Sequence, residues 1–210
     1  IEIRNLTSNR IAGSQKKPVS LKLNKGEKLV ILGSSGSGKS TILDILMGLV
    51  AVDGDKVLYN GKCINYLNLQ SVYKQIAYLP QVAPLVNGTV RENMLSGINV
   101  NYDDKLFNDL LVLMGFTFAN DEIDHSFLDR SVGDRGKNLS GGQRQRVQLL
   151  NTLITNKKTL ILDEATSALD ENMEKKVMKY ILDQKDLTVV AVTHKNTLSP
   201  LFNKVINLKK

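Results

Sequence analysis

The sequence predicts an α/β fold with a phosphate-loop core, on three observations. Residues 28–32 (KLVIL) form a short apolar run fit for a buried strand, and 40–50 (STILDILMGLV) has the length and apolar density of a buried helix. Between them residues 33–40 read GSSGSGKS, which fits the phosphate-binding pattern G-x-x-x-x-G-K-[ST]. Two further apolar runs read as strands: 159–164 (TLILDE), which ends in two acids, and 188–193 (TVVAVT), which leads directly into His194.

Each part of the loop has a physical reason. Gly33, Gly36 and Gly38 let the backbone turn tightly, so that amide N–H groups converge on phosphate oxygens, with Ser34, Ser35, Ser37 and Thr41 completing the binding stretch. Lys39 places a point charge on the β- and γ-phosphates, and the Ser40 hydroxyl suits Mg²⁺. The helix that follows turns its N-terminus toward the same phosphates. On the strand 159–164, Asp163 is the expected acid of the Mg²⁺ shell beside Ser40. Glu164, one step on, points differently and is placed to polarise an attacking water.

Composition agrees. At 210 residues the chain can bury a sizeable core as one domain with subdomains. The single cysteine, Cys63, excludes an internal disulfide and suits a reducing compartment. No apolar run approaches the ~20 residues that span a bilayer, and nothing resembles a signal peptide. The chain opens on strand-like Ile1-Glu2-Ile3 without an initiator Met, as a piece of a longer polypeptide would. Net charge is +7, but the lysines are scattered among acids and aromatics are sparse, so a solvated surface is expected rather than a nucleic-acid partner.

Leu139-Ser140-Gly141-Gly142-Gln143 is the most informative stretch. Ser140 and Gln143 have capping-box spacing, and 144–153 continues as a helix with Val147, Leu150 and Ile154 on one face. Two glycines in a first turn cost about 1 kcal/mol each relative to Ala. Close approach of the backbone to a ligand would account for that cost. A bare helix start with Gly141 and Gly142 is an anion site, and the anion expected there is a γ-phosphate. It is not the one held by this chain's own loop, which already has a helix N-terminus over it.

Taken together, GSSGSGKS, LSGGQRQR and LILDEATSALD resemble the nucleotide-binding domain of an ATP-binding cassette (ABC) ATPase over nearly the whole chain. The resemblance implies a RecA-like core with a small antiparallel β subdomain, over 1–81 and 157–210, and an inserted α-helical subdomain over 82–156. It implies ATP with Mg²⁺, and two domains meeting head to tail. Ser140, Gly141, Gly142 and Gln143 of one would face the ATP held by the loop of the other. Gln81 matches the family's glutamine at the metal and attacking water. Ser167-Ala168-Leu169-Asp170 matches the loop that reaches the partner domain, and His194 the histidine at the γ-phosphate. Lys39, Gln81, Glu164 and His194 are then the catalytic set, and Ser40, Gln81 and Asp163 the metal set. His125 has no such setting and reads as a surface residue.

Gly88-Thr89-Val90-Arg91-Glu92-Asn93 and Ser131-Val132-Gly133-Asp134-Arg135-Gly136 resemble stretches of exporter-type domains that touch the membrane half, although Ser131-Val132 and Asp134 depart from the usual T-E-V-G-E-R-G. The reading is therefore an exporter ATPase at the cytoplasmic face of the membrane, paired with a second nucleotide-binding domain and with a membrane domain in the same polypeptide. An importer subunit and a non-hydrolysing regulatory module are the alternatives. The family's adenine-stacking aromatic is missing: 5–11 (NLTSNRI) holds no ring, which leaves Arg10 as the candidate planar group over the base.

Overall fold

The structure, a computed structural model, describes residues 1–6, 18–98, 102–120 and 122–208. Its strands and helices follow in chain order as β1 (Glu2–Leu6), β2 (Val19–Lys22), β3 (Lys28–Gly33), α1 (Lys39–Leu46), β4 (Val57–Tyr59), β5 (Lys62–Cys63), α2 (Leu69–Tyr73), β6 (Ile76–Leu79), α3 (Val90–Met94), α4 (Asp104–Leu113), α5 (His125–Leu128), α6 (Gly141–Ile154), β7 (Thr159–Asp163), α7 (Glu171–Asp183), β8 (Thr188–Thr193) and β9 (Lys204–Leu208). The strands form a four-stranded sheet, β2-β1-β4-β5, with antiparallel pairs, and a five-stranded sheet, β6-β7-β8-β3-β9. Contacts divide the chain into a first unit (1–77, 157–164, 182–210) and a second (78–156, 165–181).

In the first unit, β3 pairs in parallel with β8 and β9, and β8 in parallel with β7. Strands buried on both faces need continuous apolar runs. Residues 28–32 of β3 and all six of β8 are indeed buried. Lys28 is the exception in kind: its ammonium is buried and donates to the carbonyls of Gly26 (2.9 Å), Gln184 (2.8 Å) and Leu187. Burial lowers its pKa.

The helix after the loop ends earlier than its apolar run does. Gly48 sits at φ +68°, the Gly48 N–H donates to Ile45 O (3.0 Å), and the Leu49 N–H to Asp44 O (2.8 Å). That is a Schellman stop, for which a glycine in the left-handed region is the usual cause. Two tyrosine hydroxyls cap the remaining carbonyls: Tyr59 donates to Leu46 O (2.6 Å) and Tyr73 to Met47 O (2.9 Å). The helix that carries the phosphate loop is thereby anchored at its far end.

In the second unit α6 packs against α3 and α4, and buries Val147, Leu149, Leu150 and Ile154. Phe116 stacks on Phe127 with centroids 5.4 Å apart, and the Arg146 guanidinium lies 5.0 Å over Phe116 while donating to Met114 O (2.7 Å). None of the helices among the described residues is long and apolar enough to cross a membrane.

Candidate nucleotide site

Parallel register brings the ends of three strands to one level. Leu32 is opposite Thr193, and Asp163 opposite Val192, so Gly33, Glu164 and His194 leave the sheet at the same edge. In open α/β sheets ligands bind at this carboxyl edge. The loop begins where a side chain cannot fit: a Cβ on Gly33 would lie 2.4 Å from Ser37 Oγ and 2.9 Å from Leu208 O. Gly38, at φ +89°, then starts α1 in a conformation that only glycine adopts without strain.

The charged groups converge there. Lys39, only 5% exposed, donates to the carbonyls of Gly33 and Ser34 (both 3.0 Å), and its ammonium is 3.7 Å from Glu164 Oε1. His194 Nδ1 is 3.8 Å from Glu164 Oε2. Glu164 itself has φ +49°, an uncommon region for a side-chain-bearing residue, yet its N–H still donates to Val192 O (3.0 Å). Strain of this kind costs of order 1–3 kcal/mol and clusters at functional sites.

Asp163 is 4% exposed, and its Oδ1 has no hydrogen-bond partner. Burial is the main force holding its carboxyl above the ordinary value; Ser40, which hydrogen-bonds it, and Lys39 oppose, while Glu164 and Asp44 add. A buried carboxylate oxygen aimed at no donor suits a cation, so the residues present fit Mg²⁺. Without an ion, the same burial lowers stability. The folded carboxyl binds its proton more tightly than the unfolded one, so stability declines as pH rises above the ordinary value of 3.8. Asp163→Asn is therefore expected to raise the melting temperature of the nucleotide-free chain at pH 7. The gain should close below pH 3.8, where both states are protonated. A lower melting temperature at pH 7 would reject the destabilising burial of this carboxylate.

The pentapeptide lies in the second unit and starts α6 as its spacing suggests. The Gln143 N–H donates to Ser140 Oγ (3.2 Å), and the Ser140 N–H to Gln143 Oε1 (2.8 Å). Ser140 and Gly141 are exposed. Gly142 has a reason that the sequence does not disclose: a Cβ there would sit 3.1 Å from Ala168 O of the same chain. Asp170 starts α7, accepting at Oδ1 from the Met173 N–H (3.0 Å). Two buried side chains to which the sequence assigns no role hold the 166–168 stretch: Gln145, inside LSGGQRQR, through Ser167 and Ala168, and Glu174 through the Thr166 hydroxyl (2.7 Å). Gln145 is 8% exposed although it lies on the side of the helix away from Val147, Leu150 and Ile154, so the expected apolar face gives no signal for its burial.

Gln81 follows β6 in the second unit and is exposed, beside exposed Val82 and Val86. The two exporter-like stretches meet: Thr89 bridges Ser131, the Val90 N–H donates to Arg130 O (2.9 Å), and the Val132 N–H to Gly88 O (2.9 Å). Thr89 and Glu92 close a capping box as their spacing predicts. His125 is exposed, with Nδ1 3.2 Å from Arg91 Nη2. Arg10 lies outside the described residues.

Known proteins match this arrangement. The ABC transporter family pattern matches residues 16–167. A Rickettsia conorii protein named as an export ATP-binding/permease protein is 34% identical over 178 residues, which is 84% of this chain and 31% of that protein. The mitochondrial iron-sulfur clusters transporter of Debaryomyces hansenii is 32% identical over 188 residues, 88% of this chain and 27% of the transporter. This chain thus spans under a third of the length of either relative. A solved bacterial Atm1-family ABC exporter with ATP bound has a similar fold (TM-score 0.80, 27% identity) over 91% of this chain and 34% of its own. The chain belongs to the ABC transporter family, and within it is similar to the ATP-binding part of export proteins.

Proposed function

We propose that the chain hydrolyses ATP at a site shared between two copies, or between it and a related domain, and so powers export through a membrane domain at the cytoplasmic face of the membrane. In this reading 1–81 and 157–210 form the nucleotide core and 82–156 the helical subdomain. The observation that carries it is the clustering of Lys39, Glu164 and His194 within 3.8 Å contacts at the end of the phosphate loop. A non-hydrolysing module would have no use for that constellation.

Residues 33–41, with Gly33, Ser34, Ser35, Gly36, Ser37, Gly38, Lys39, Ser40 and Thr41, hold the triphosphate. Glu164 takes the proton of, or orients, the water in line with the γ-phosphoryl group, and Lys39 and His194 stabilise its charge. Ser40, Asp163 and Gln81 would hold Mg²⁺, which when bound neutralises phosphate charge. Among the described residues no cluster of three or more His, Cys, Asp or Glu could hold an ion alone, consistent with phosphate and water supplying the remaining ligands. Ser140, Gly141, Gly142, Gln143 and Asp170 serve the partner's ATP. The paired stretches around Thr89 and Ser131, next in sequence to exposed Val82 and Val86, support a membrane-facing contact there.

The shared site is tested by dilution. ATP binding by a dilute chain should persist while the hydrolysis rate per chain falls, and that rate should rise again as concentration increases. A rate per chain independent of concentration would sink the two-copy site.

A further inference from the structure

We infer that Gln145 is a positioning residue that clamps the 167–168 segment to the first turns of α6, so that the two stretches turned toward a partner's nucleotide move as one block. The inference rests on the two-copy site proposed above.

Helix α6 carries Gln145 five positions after Ser140 and buries it. Both ends of its amide engage the same neighbouring segment: the Ala168 N–H donates to Oε1 (2.8 Å), and Nε2 donates to Ser167 Oγ (3.4 Å). One turn earlier the Ala168 carbonyl comes so close to Gly142 that a Cβ would lie 3.1 Å away. Ala168 is thus gripped at its N–H by a side chain and abutted at its C=O by bare backbone. From the other side, Thr166 is tied to Glu174, which is 3% exposed. Ser167, Ala168 and Asp170 lie around buried Thr166 and Leu169, with Ser167 and Asp170 exposed. A buried amide that loses such partners is costly to the arrangement, because its partners are left unmet. A capped helix start and an adjacent loop joined through one buried side chain cannot shift independently.

The chain used for the test is the 210-residue protein itself. Gln145→Met keeps the volume and removes both hydrogen bonds, whereas Gln145→Glu keeps an acceptor for the Ala168 N–H. For Q145M we expect faster amide hydrogen exchange over 165–170, and kcat lower by about tenfold or more, as small misplacements of positioning groups produce. ATP affinity of the dilute chain should stay within about twofold, since no residue of the phosphate loop is touched. Q145E should recover slow exchange and most of kcat. Wild-type kcat in Q145M, no recovery in Q145E, or loss of ATP affinity in step with kcat would each overturn the clamp. Should Q145M not fold, Ser167→Ala removes only the Nε2 partner; a lowered kcat at unchanged affinity supports the clamp, and unchanged kcat overturns it. The wild-type dilution series separates the two ideas. Concentration-dependent hydrolysis with an undiminished Q145M defeats the clamp alone, whereas concentration-independent hydrolysis defeats the shared site and the clamp with it.

Discussion

Glu164→Gln is expected to bind ATP, to associate in its presence, and to turn over at least about 100-fold more slowly than the wild type, the usual scale for losing a general base. The substitution preserves shape. The backbone at φ +49° and the N–H bond to Val192 O do not depend on the carboxylate, and Lys39 retains its carbonyl partners Gly33 and Ser34. What is lost is the group that can accept a proton between Lys39 and His194. Single-turnover phosphate release measures the chemical step, and size-exclusion chromatography with ATP measures association. Hydrolysis at the wild-type rate would reject Glu164 as the base. Glu164→Gly is a useful companion, because relieving a left-handed side-chain residue should stabilise the fold while hydrolysis remains lost.

Lys39→Met is expected to weaken ATP binding by roughly 10- to 100-fold, since hydrogen bonds to a charged group contribute about 1.5–3 kcal/mol each. The ammonium is already placed: it is 5% exposed and folded back over the loop carbonyls that precede it. Little reorganisation is then needed when phosphate oxygens arrive, which is why its removal should appear in affinity and not only in rate. Titration calorimetry of the dilute chain reads this without interference from association. An unchanged Kd would take Lys39 out of the nucleotide site.

Local chemistry is legible in the order of the residues. A buried strand needs an unbroken apolar run, a capped helix needs its Ser or Thr three residues before Gln or Glu, and a phosphate loop needs glycines at set intervals. The extent of β8, and both capping boxes, at Ser140 with Gln143 and at Thr89 with Glu92, follow from those short-range rules, whereas β7 stops at Asp163, one residue before the expected end, because Glu164 turns to φ +49°. Apolarity alone would carry the helix after the loop to Val50, whereas Gly48 ends it in the left-handed region. The clustering of Lys39, Glu164 and His194 is legible in sequence only as a resemblance between motifs. Their 3.7 and 3.8 Å contacts depend on parallel register between strands that lie far apart in the chain.

Sequence therefore settled the chemistry on offer: a triphosphate loop, two acids at the end of one strand, a histidine after another, and a helix start made of glycine. Those choices are written in neighbouring residues, because caps, turns and burial patterns are short-range. Folding alone assigned the reasons that need a partner from elsewhere in the chain. It set Ala168 against Gly142, turned Gln145 inward to hold it, paired Thr89 with Ser131, and left Asp163 Oδ1 buried without a donor. No local pattern encodes which distant backbone a side chain will meet, and these contacts exist only in the packed chain.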